Sequence, residues 1–197
     1  MKPIFLLTLA VAFAALVSRT GAAQNCNCST SHGDRQIAAA PAASPYAGME
    51  RRLVKALSEQ QIADLRAGRG MGLSLPAELN GYPGPAHVLE LADALRLSDD
   101  QRIRAKELFE AMKAETIPIG ERILSEETAL DHLFAEKRAT RAELNAAASR
   151  IASAQGDLRA AHLRYHLTMS ELLSSEQITR YTELRGYGGG HHGHGQQ

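Results

Sequence analysis

The pattern of apolar and polar residues along the chain predicts amphipathic helices separated by turns. Within each helical stretch, apolar residues recur at intervals of three or four and therefore share one face. Gly and Pro residues interrupt the pattern between positions 68 and 85, because both residue types favour turns. The predicted helices span residues 49–67, 86–95, 99–137, 141–172 and 175–185.

Two of these helices are long. In the second long helix, one apolar residue occurs every seven positions, which is the spacing of a coiled-coil seam. The seam residues are Leu144, Ile151, Leu158, Tyr165 and Leu172. Three alanines beside the seam allow another helix to approach closely: Ala147, Ala154 and Ala161. A turn at residues 138–140 joins the two helices, so we predict an antiparallel hairpin that Pro118 kinks.

The predicted fold class is all-α, an elongated kinked helical hairpin with flanking short helices. Alanine is abundant and valine is scarce, a composition that favours helices over sheets. A thin hairpin leaves one apolar face open to water. Either a second chain covers that face, as in a homodimer, or the face is itself a binding surface.

Charge and composition exclude several classes of function. The 197 residues include 22 Lys and Arg and 22 Asp and Glu, so the chain lacks the basic excess of a general nucleic-acid binder. Aromatic residues make up 5% and Trp is absent, which leaves little material for stacking bases. No H-E-x-x-H motif, nucleophile elbow or phosphate-binding glycine loop occurs. We therefore predict that the protein is not an enzyme.

The ends of the chain differ in composition from its centre. A positively charged start, an apolar run and small residues before Gln24 are typical of a cleaved signal peptide, which predicts export to the periplasm. A retained N-terminal membrane anchor is the alternative. The predicted segments are a signal peptide (1–23), a flexible Ala/Ser/Pro tail (24–46), a helical domain (47–187) and a disordered Gly/His-rich tail (188–197).

One short motif occurs three times. Leu-Ser-x-x-Gln begins at Leu57, Leu97 and Leu173. Ser at a helix N-cap accepts a hydrogen bond from the backbone N–H three residues later, and Gln at that later position accepts one from the N–H of the cap. Each copy therefore predicts a helix start. Any helical protein contains such capping boxes, but three matching copies are less ordinary.

The three copies, the signal peptide, the hairpin and the His-rich tail together resemble the Spy/CpxP family. This family includes periplasmic chaperones, envelope-stress regulators, heavy-metal sensors and zinc-resistance proteins. The copies at Leu97 and Leu173 match the family's usual two, and the copy at Leu57 lies in an N-terminal extension. The resemblance implies a non-enzymatic, cradle-shaped antiparallel dimer. Its concave face would hold unfolded or misfolded envelope proteins, a membrane sensor kinase or an anti-sigma system.

The first long helix supplies the predicted client-binding surface. Its apolar residues would lie exposed on the concave face and bind non-native chains weakly, while mixed charges speed encounter. The residues we expect there are Leu108, Met112, Ile119 and Ile123.

Two groups of residues near the chain ends are candidate metal ligands. His191, His192 and His194 form a short His-rich motif that can chelate Zn, Ni or Cu with little preference. The alternative is a solvated tail. The second group comprises Cys26, Cys28 and His32. Its soft thiolates and imidazole suit Cu(I) or Zn, and an inter-chain disulfide is the alternative for the thiols.

A third candidate metal site lies on the second long helix. His162 and His166 are four residues apart, so both rings can reach one ion, and the predicted hairpin places Glu115 opposite His162. The resembled heavy-metal sensors use His, Glu and Met from such helices, and Met169 matches their Met. Tyr165 stands where those sensors have His. A half-buried His paired with Glu115 is the alternative.

Overall fold

The computed structural model describes residues 44–187, and every regular element in that range is helical. This confirms the all-α prediction. A 3-10 helix at Met49–Arg51 precedes six α-helices: α1 (Glu59–Arg66), α2 (Leu75–Glu78), α3 (Pro85–Glu90), α4 (Asp99–Ala135), α5 (Arg141–Leu172) and α6 (Ser175–Leu184). The predictions for the signal peptide, both cysteines, His32 and the three tail histidines lie outside the described residues. Between residues 44 and 187, no helix combines the length and apolar character needed to cross a membrane.

The first predicted helix begins later in the structure than the apolar pattern suggests. Ser58 adopts an extended backbone and caps α1, since its hydroxyl accepts a hydrogen bond from the Gln61 N–H at 3.2 Å. The Gln61 side chain accepts one from the Ser58 N–H at 2.9 Å. This capping box starts the helix at Glu59. Val54 and Leu57 lie in the preceding turns and are buried. The apolar pattern there therefore indicates buried positions and not a helix.

The two long helices lie side by side in opposite directions. Ion pairs join Arg122 to Asp157 at 2.5 Å and Arg150 to Glu126 at 2.7 Å, so later residues of α4 meet earlier residues of α5. The helix α4 continues through Pro118 without interruption.

The helix contact is centred on the alanines rather than on the heptad residues. Ala147, Ala154 and Ala161 are completely buried. Leu144 at the first heptad position is 38% exposed, and only Ile151 and Leu158 of the five seam residues are buried. Small side chains allow the helix axes to come close, which moves the line of closest contact from the seam to the alanines.

The N-terminal segment covers much of the apolar face of the long helices. Residues of the first turns and α1 pack on α4 and α5 in one core cluster, and residues from α3 onward pack with α4, α5 and α6 in a second. The first cluster comprises Val54, Leu57, Ile62, Leu65, Ile123, Leu124, Ala154 and Leu158. The second comprises Val88, Ala92, Leu95, Leu97, Ala105, Met169, Leu173 and Tyr181.

This packing corrects the predicted client-binding surface. Met112 and Ile123 are buried, with 7% and 3% exposure, and Leu108 and Ile119 are half-buried against the two core clusters. The prediction that these four side chains form an open concave face is therefore wrong. The physical reason is that residues 54–97 of the same chain remove this apolar surface from water.

The second and third copies of the repeated motif contact each other. The side-chain amides of Gln101 and Gln177 form two reciprocal hydrogen bonds of 2.9 Å. Each amide also donates to a backbone carbonyl, Gln101 to Leu172 at 3.0 Å and Gln177 to Leu95 at 3.3 Å. The side-chain carbonyl oxygen of each glutamine also accepts a hydrogen bond from the backbone N–H of the serine that caps the same helix. The motif glutamines therefore join the starts of α4 and α6, in addition to capping them.

We expect Gln101→Glu to lower the free energy of unfolding by about 2 kcal/mol, because a carboxylate cannot donate to Leu172 or Gln177 and repels both oxygens. Chemical denaturation at pH 7 measures the change. Gln61→Glu is the matched control, since exposed Gln61 only accepts from the Ser58 N–H. A carboxylate accepts equally well at that helix start, so the control should change stability by less than about 0.5 kcal/mol. Equal losses would contradict a special role for the glutamine pair.

Candidate functional site

An open cavity of about 870 Å³ lies beside the middle of α4. Its walls come from the end of α1 and the following loop, from α2 and α3, and from one face each of α4 and α5. Apolar side chains supply much of the wall, with charged groups among them. The side chains that line it include Arg66, Arg69, Met71, Leu75, Glu78, His87, Glu90, Phe109, Met112, Lys113, Ile117, His162 and His166.

Glu78 is a buried carboxylate in the wall of this cavity, with 5% exposure. One oxygen, Oε1, accepts hydrogen bonds from the Tyr181 hydroxyl and, at 3.1 Å, from the Tyr187 hydroxyl. The same oxygen lies 3.2 Å from Nδ1 of His87 and 3.7 Å from Nε of Arg185. Glu78 therefore ties α2 to the C-terminal helix and the residues that follow it.

The surroundings of Glu78 hold it in the charged form. Burial alone would raise the pKa of this carboxyl, but hydrogen bonds from His87 and Tyr181 and the charge of His87 outweigh burial and lower the pKa to about 2. The same contact and burial raise the pKa of the Tyr181 hydroxyl. The second carboxylate oxygen, Oε2, is buried and accepts no hydrogen bond within the described part of the chain. A buried oxygen that accepts no hydrogen bond lowers the stability of the fold. The hydrogen bonds that Oε1 accepts therefore matter more for keeping this carboxylate buried.

His162 and His166 of α5 both line the cavity, but their ring nitrogens have different hydrogen-bond partners. The Nδ1 atom of His166 donates to the Tyr82 carbonyl at 2.7 Å, which leaves Nε2 of the neutral ring with a free lone pair. Burial lowers the pKa of His166, against the opposing effects of the Tyr82 carbonyl and the Glu78 charge. His162 places Nδ1 2.9 Å from the Leu158 carbonyl and Nε2 3.3 Å from the Gly68 carbonyl. A neutral ring can donate to only one of these carbonyls.

The structure brings together part of the metal site suggested by the sequence. His162 and His166 line the same cavity, where His87 joins them. Glu115 instead pairs with Arg164, and its side chain is 37% exposed. Met169 is completely buried in the second core cluster rather than in the cavity wall. Among residues 44–187, no three His, Cys, Asp or Glu side chains are arranged to hold a metal ion.

No pattern in the sequence indicates that Glu78 is a buried residue of this cavity. It lies in the four-residue helix α2, within a Pro/Gly-rich segment that indicates only turns. Its partners Tyr181 and Tyr187 are 103 and 109 residues away in the chain. No local pattern connects positions that far apart, so only the tertiary structure reveals the contact.

The lining of the cavity contains three cations, Arg66, Arg69 and Lys113, which differ in how closely a carboxylate pairs with them. Arg69 is held by Asp64 at 2.5 Å. Arg66 lies 3.6 Å from Glu121, and Lys113 lies 3.9 Å from Glu110, with all four of these side chains well exposed. Such exposed pairs contribute little, so Arg66 and Lys113 keep most of their charge available.

Comparisons with known proteins identify no relative. No family model, no curated protein and no solved structure matches the chain.

Proposed function

We propose that this protein is a non-enzymatic periplasmic binding protein of the Spy/CpxP type that keeps non-native envelope proteins soluble. The observation that carries the proposal is an apolar patch beside the open cavity. Four large apolar residues within twelve positions are 40–55% exposed, and the first two also line the cavity. We define the apolar patch as Met71, Leu75, Leu79 and Tyr82. It replaces the buried α4 residues as the client-binding surface.

The chemistry of this surface suits weak and general binding. Fully burying one large apolar side chain contributes about 1.5–3 kcal/mol, so partial burial of several holds a client only transiently. Flexible Met71 adapts to different client side chains. Arg66, Lys113 and nearby carboxylates add mixed charge, which speeds encounter without selecting one sequence.

The proposal includes the oligomeric architecture that the resemblance implies. We propose that the antiparallel α4 and α5 pair bends at Pro118 and that two copies form a cradle-shaped dimer. Exposed Phe134 and Leu144 near the turn between the helices, 55% and 38% exposed, support a further contact there. Sedimentation of the mature chain distinguishes monomer from dimer directly.

A double variant of the apolar patch tests client binding. We expect Leu75→Ser with Leu79→Ser to require roughly tenfold more protein to suppress aggregation of reduced α-lactalbumin, because two binding side chains are lost. Light scattering without ATP measures the effect.

Ile103→Ser with Leu167→Ser is the matched control, since these residues are 58% and 51% exposed on other parts of α4 and α5. The control should protect the client as well as the original chain, and circular dichroism should show equal helix content in both variants. No suppression by the unaltered protein, or equal loss in both variants, would contradict the proposal.

Binding of Zn, Ni or Cu as a sensor or resistance protein is the second candidate function. The spacing of the His and Cys residues near the two chain ends favours it, whereas no three His, Cys, Asp or Glu side chains among residues 44–187 are arranged to hold an ion. Native mass spectrometry with each metal tests it. His162→Ala with His166→Ala would lower the metal count if the cavity binds an ion. Removing residues 188–197 and both cysteines would lower it if the chain ends do.

A further inference from the structure

We propose that the cavity binds a medium-chain fatty acid. The alkyl chain would lie against the apolar wall of α4, and the carboxylate would lie at the entrance beside Arg66 and Lys113. This ligand goes beyond the proposed binding of polypeptides and does not depend on it.

The size and shape of the cavity suit a slender apolar molecule. Its volume of about 870 Å³ falls within the range of about 300–1,000 Å³ that is common for small-molecule sites. On one side α4 contributes Phe109, Met112 and Ile117 to the wall. At 1.5 Å per residue, these positions extend over roughly 12 Å of helix, which is the length of an extended alkyl chain of about ten carbons.

The loop after α1 and helix α2 supply the apolar surface that a bound alkyl chain would cover most. Met71 and Leu75 line it and are 40% and 50% exposed to water. An alkyl chain between these residues and α4 would remove from water the apolar surface of Met71 and Leu75 and that of half-buried Phe109 and Ile117. The hydrophobic effect therefore supplies the main driving force and predicts that affinity rises with chain length.

The charges at the entrance favour an anionic head group. The Lys113 ammonium lies 5.5 Å from the centre of the Phe109 ring, so a cation stands directly beside the apolar wall. Arg66 adds a second cation whose nearest carboxylate is exposed and 3.6 Å away. This combination of an apolar wall and adjacent cations is complementary to a molecule with an alkyl chain and a carboxylate.

The carboxylates of the cavity do not remove this preference. Oε1 of Glu78 is engaged by Tyr181 and Tyr187, and the Arg185 guanidinium lies 3.7 Å away, which offsets part of the Glu78 charge. Glu90 is an exposed residue of α3, so water screens its charge. The lining therefore contains three cations, Arg66, Arg69 and Lys113, against the two carboxylates of Glu78 and Glu90.

Titration calorimetry of the full chain with octanoate, decanoate and dodecanoate, below their micelle concentrations, tests the proposal. We expect affinity to rise about threefold to fourfold for each added methylene, because each contributes about 0.8 kcal/mol. Dodecyltrimethylammonium has the same alkyl chain and the opposite charge. It should bind about tenfold more weakly than dodecanoate, since it meets two cations instead of two counter-charges.

Variants locate the site. Arg66→Gln with Lys113→Gln should weaken dodecanoate binding about tenfold through the loss of two exposed ion pairs, and should leave the neutral dodecyl maltoside unaffected. Lys106→Gln, at an exposed position of α4 outside the cavity, is the matched control and should change nothing. Absence of dodecanoate binding, equal binding of the cationic amphiphile, or equal effects of the double variant and the control would overturn the proposal. Client protection without dodecanoate binding would overturn this inference alone and leave the proposed function standing.

Discussion

Glu78→Gln should lower the free energy of unfolding by about 2 kcal/mol at pH 7. The folded state lowers the pKa of this carboxyl from an ordinary value near 4.5 to about 2, and each unit corresponds to about 1.4 kcal/mol, but the part that comes from the charge of His87 is present only in acid. Glutamine keeps the shape of the side chain but removes the charge that the hydrogen bonds from His87 and the two tyrosines stabilise. Because Glu78 is only 5% exposed, solvent screens little of this effect. Urea unfolding followed by circular dichroism measures it.

The same residue should govern stability in acid. Since the folded state holds the Glu78 pKa below its unfolded value, the unfolded chain binds more protons between about pH 4.5 and pH 2. Stability from Glu78 is therefore present above pH 4.5 and is lost as the pH falls to about 2. The Gln variant should lack this steep decline. Both proteins should keep a shallower decline that starts below pH 6.5, because burial lowers the pKa of His166.

Glu110→Gln provides the control for Glu78. The Glu110 side chain is 58% exposed and lies 3.9 Å from Lys113, so its removal should change stability by less than about 0.5 kcal/mol. Acid unfolding of the Glu78→Gln variant that follows the original curve would show that the buried carboxylate does not carry the pH dependence.

Gly120→Ala should destabilise the protein by about 2 kcal/mol, although alanine is the better helix former. A Cβ atom at Gly120 would overlap the backbone of Leu65, with the carbonyl oxygen closest and the carbonyl carbon at 2.9 Å. Backbone atoms cannot rotate away as a side chain can. The helix α1 would have to move off α4, and the first core cluster would lose contacts. Thermal or urea unfolding measures the loss.

Gly156→Ala is the matched substitution on α5. Within residues 44–187, no atom lies within 4 Å of a Cβ at this exposed helical position. Alanine should therefore stabilise the helix by up to about 1 kcal/mol through its higher helix propensity. Opposite signs for the two glycines are the expected outcome. A gain in stability at both positions would mean that α1 does not press against α4.

Local features of the fold were predictable because they depend on residues close together in the chain. The helix starts at Ser58, Ser98 and Ser174 follow from the repeated motif, and each forms a complete capping box. The bounds of α5 agree with the predicted 141–172, because Thr140 supplies a cap and the apolar spacing is regular. The error at residues 49–58 arose because buried turn residues imitated helical spacing.

Part of the candidate site was also visible in the sequence. The spacing of His162 and His166 placed both rings on one side of a helix, and both line the cavity. The position of Glu115 was predicted from hairpin register alone. Its charge is instead engaged by Arg164, a fully charged partner on the facing helix.

The sequence by itself determined that residues 44–187 form helices and where most of them begin, since capping and apolar spacing act over a few residues. Only the tertiary structure decided which apolar face remains open. Residues of the first turns and α1 pack on Ile123, whereas Met71, Leu75, Leu79 and Tyr82 stay exposed. It also decided the pairing of Gln101 with Gln177 and of Glu78 with Tyr181, which are 76 and 103 residues apart. Such contacts depend on how whole helices pack, and packing leaves no periodic mark at either position.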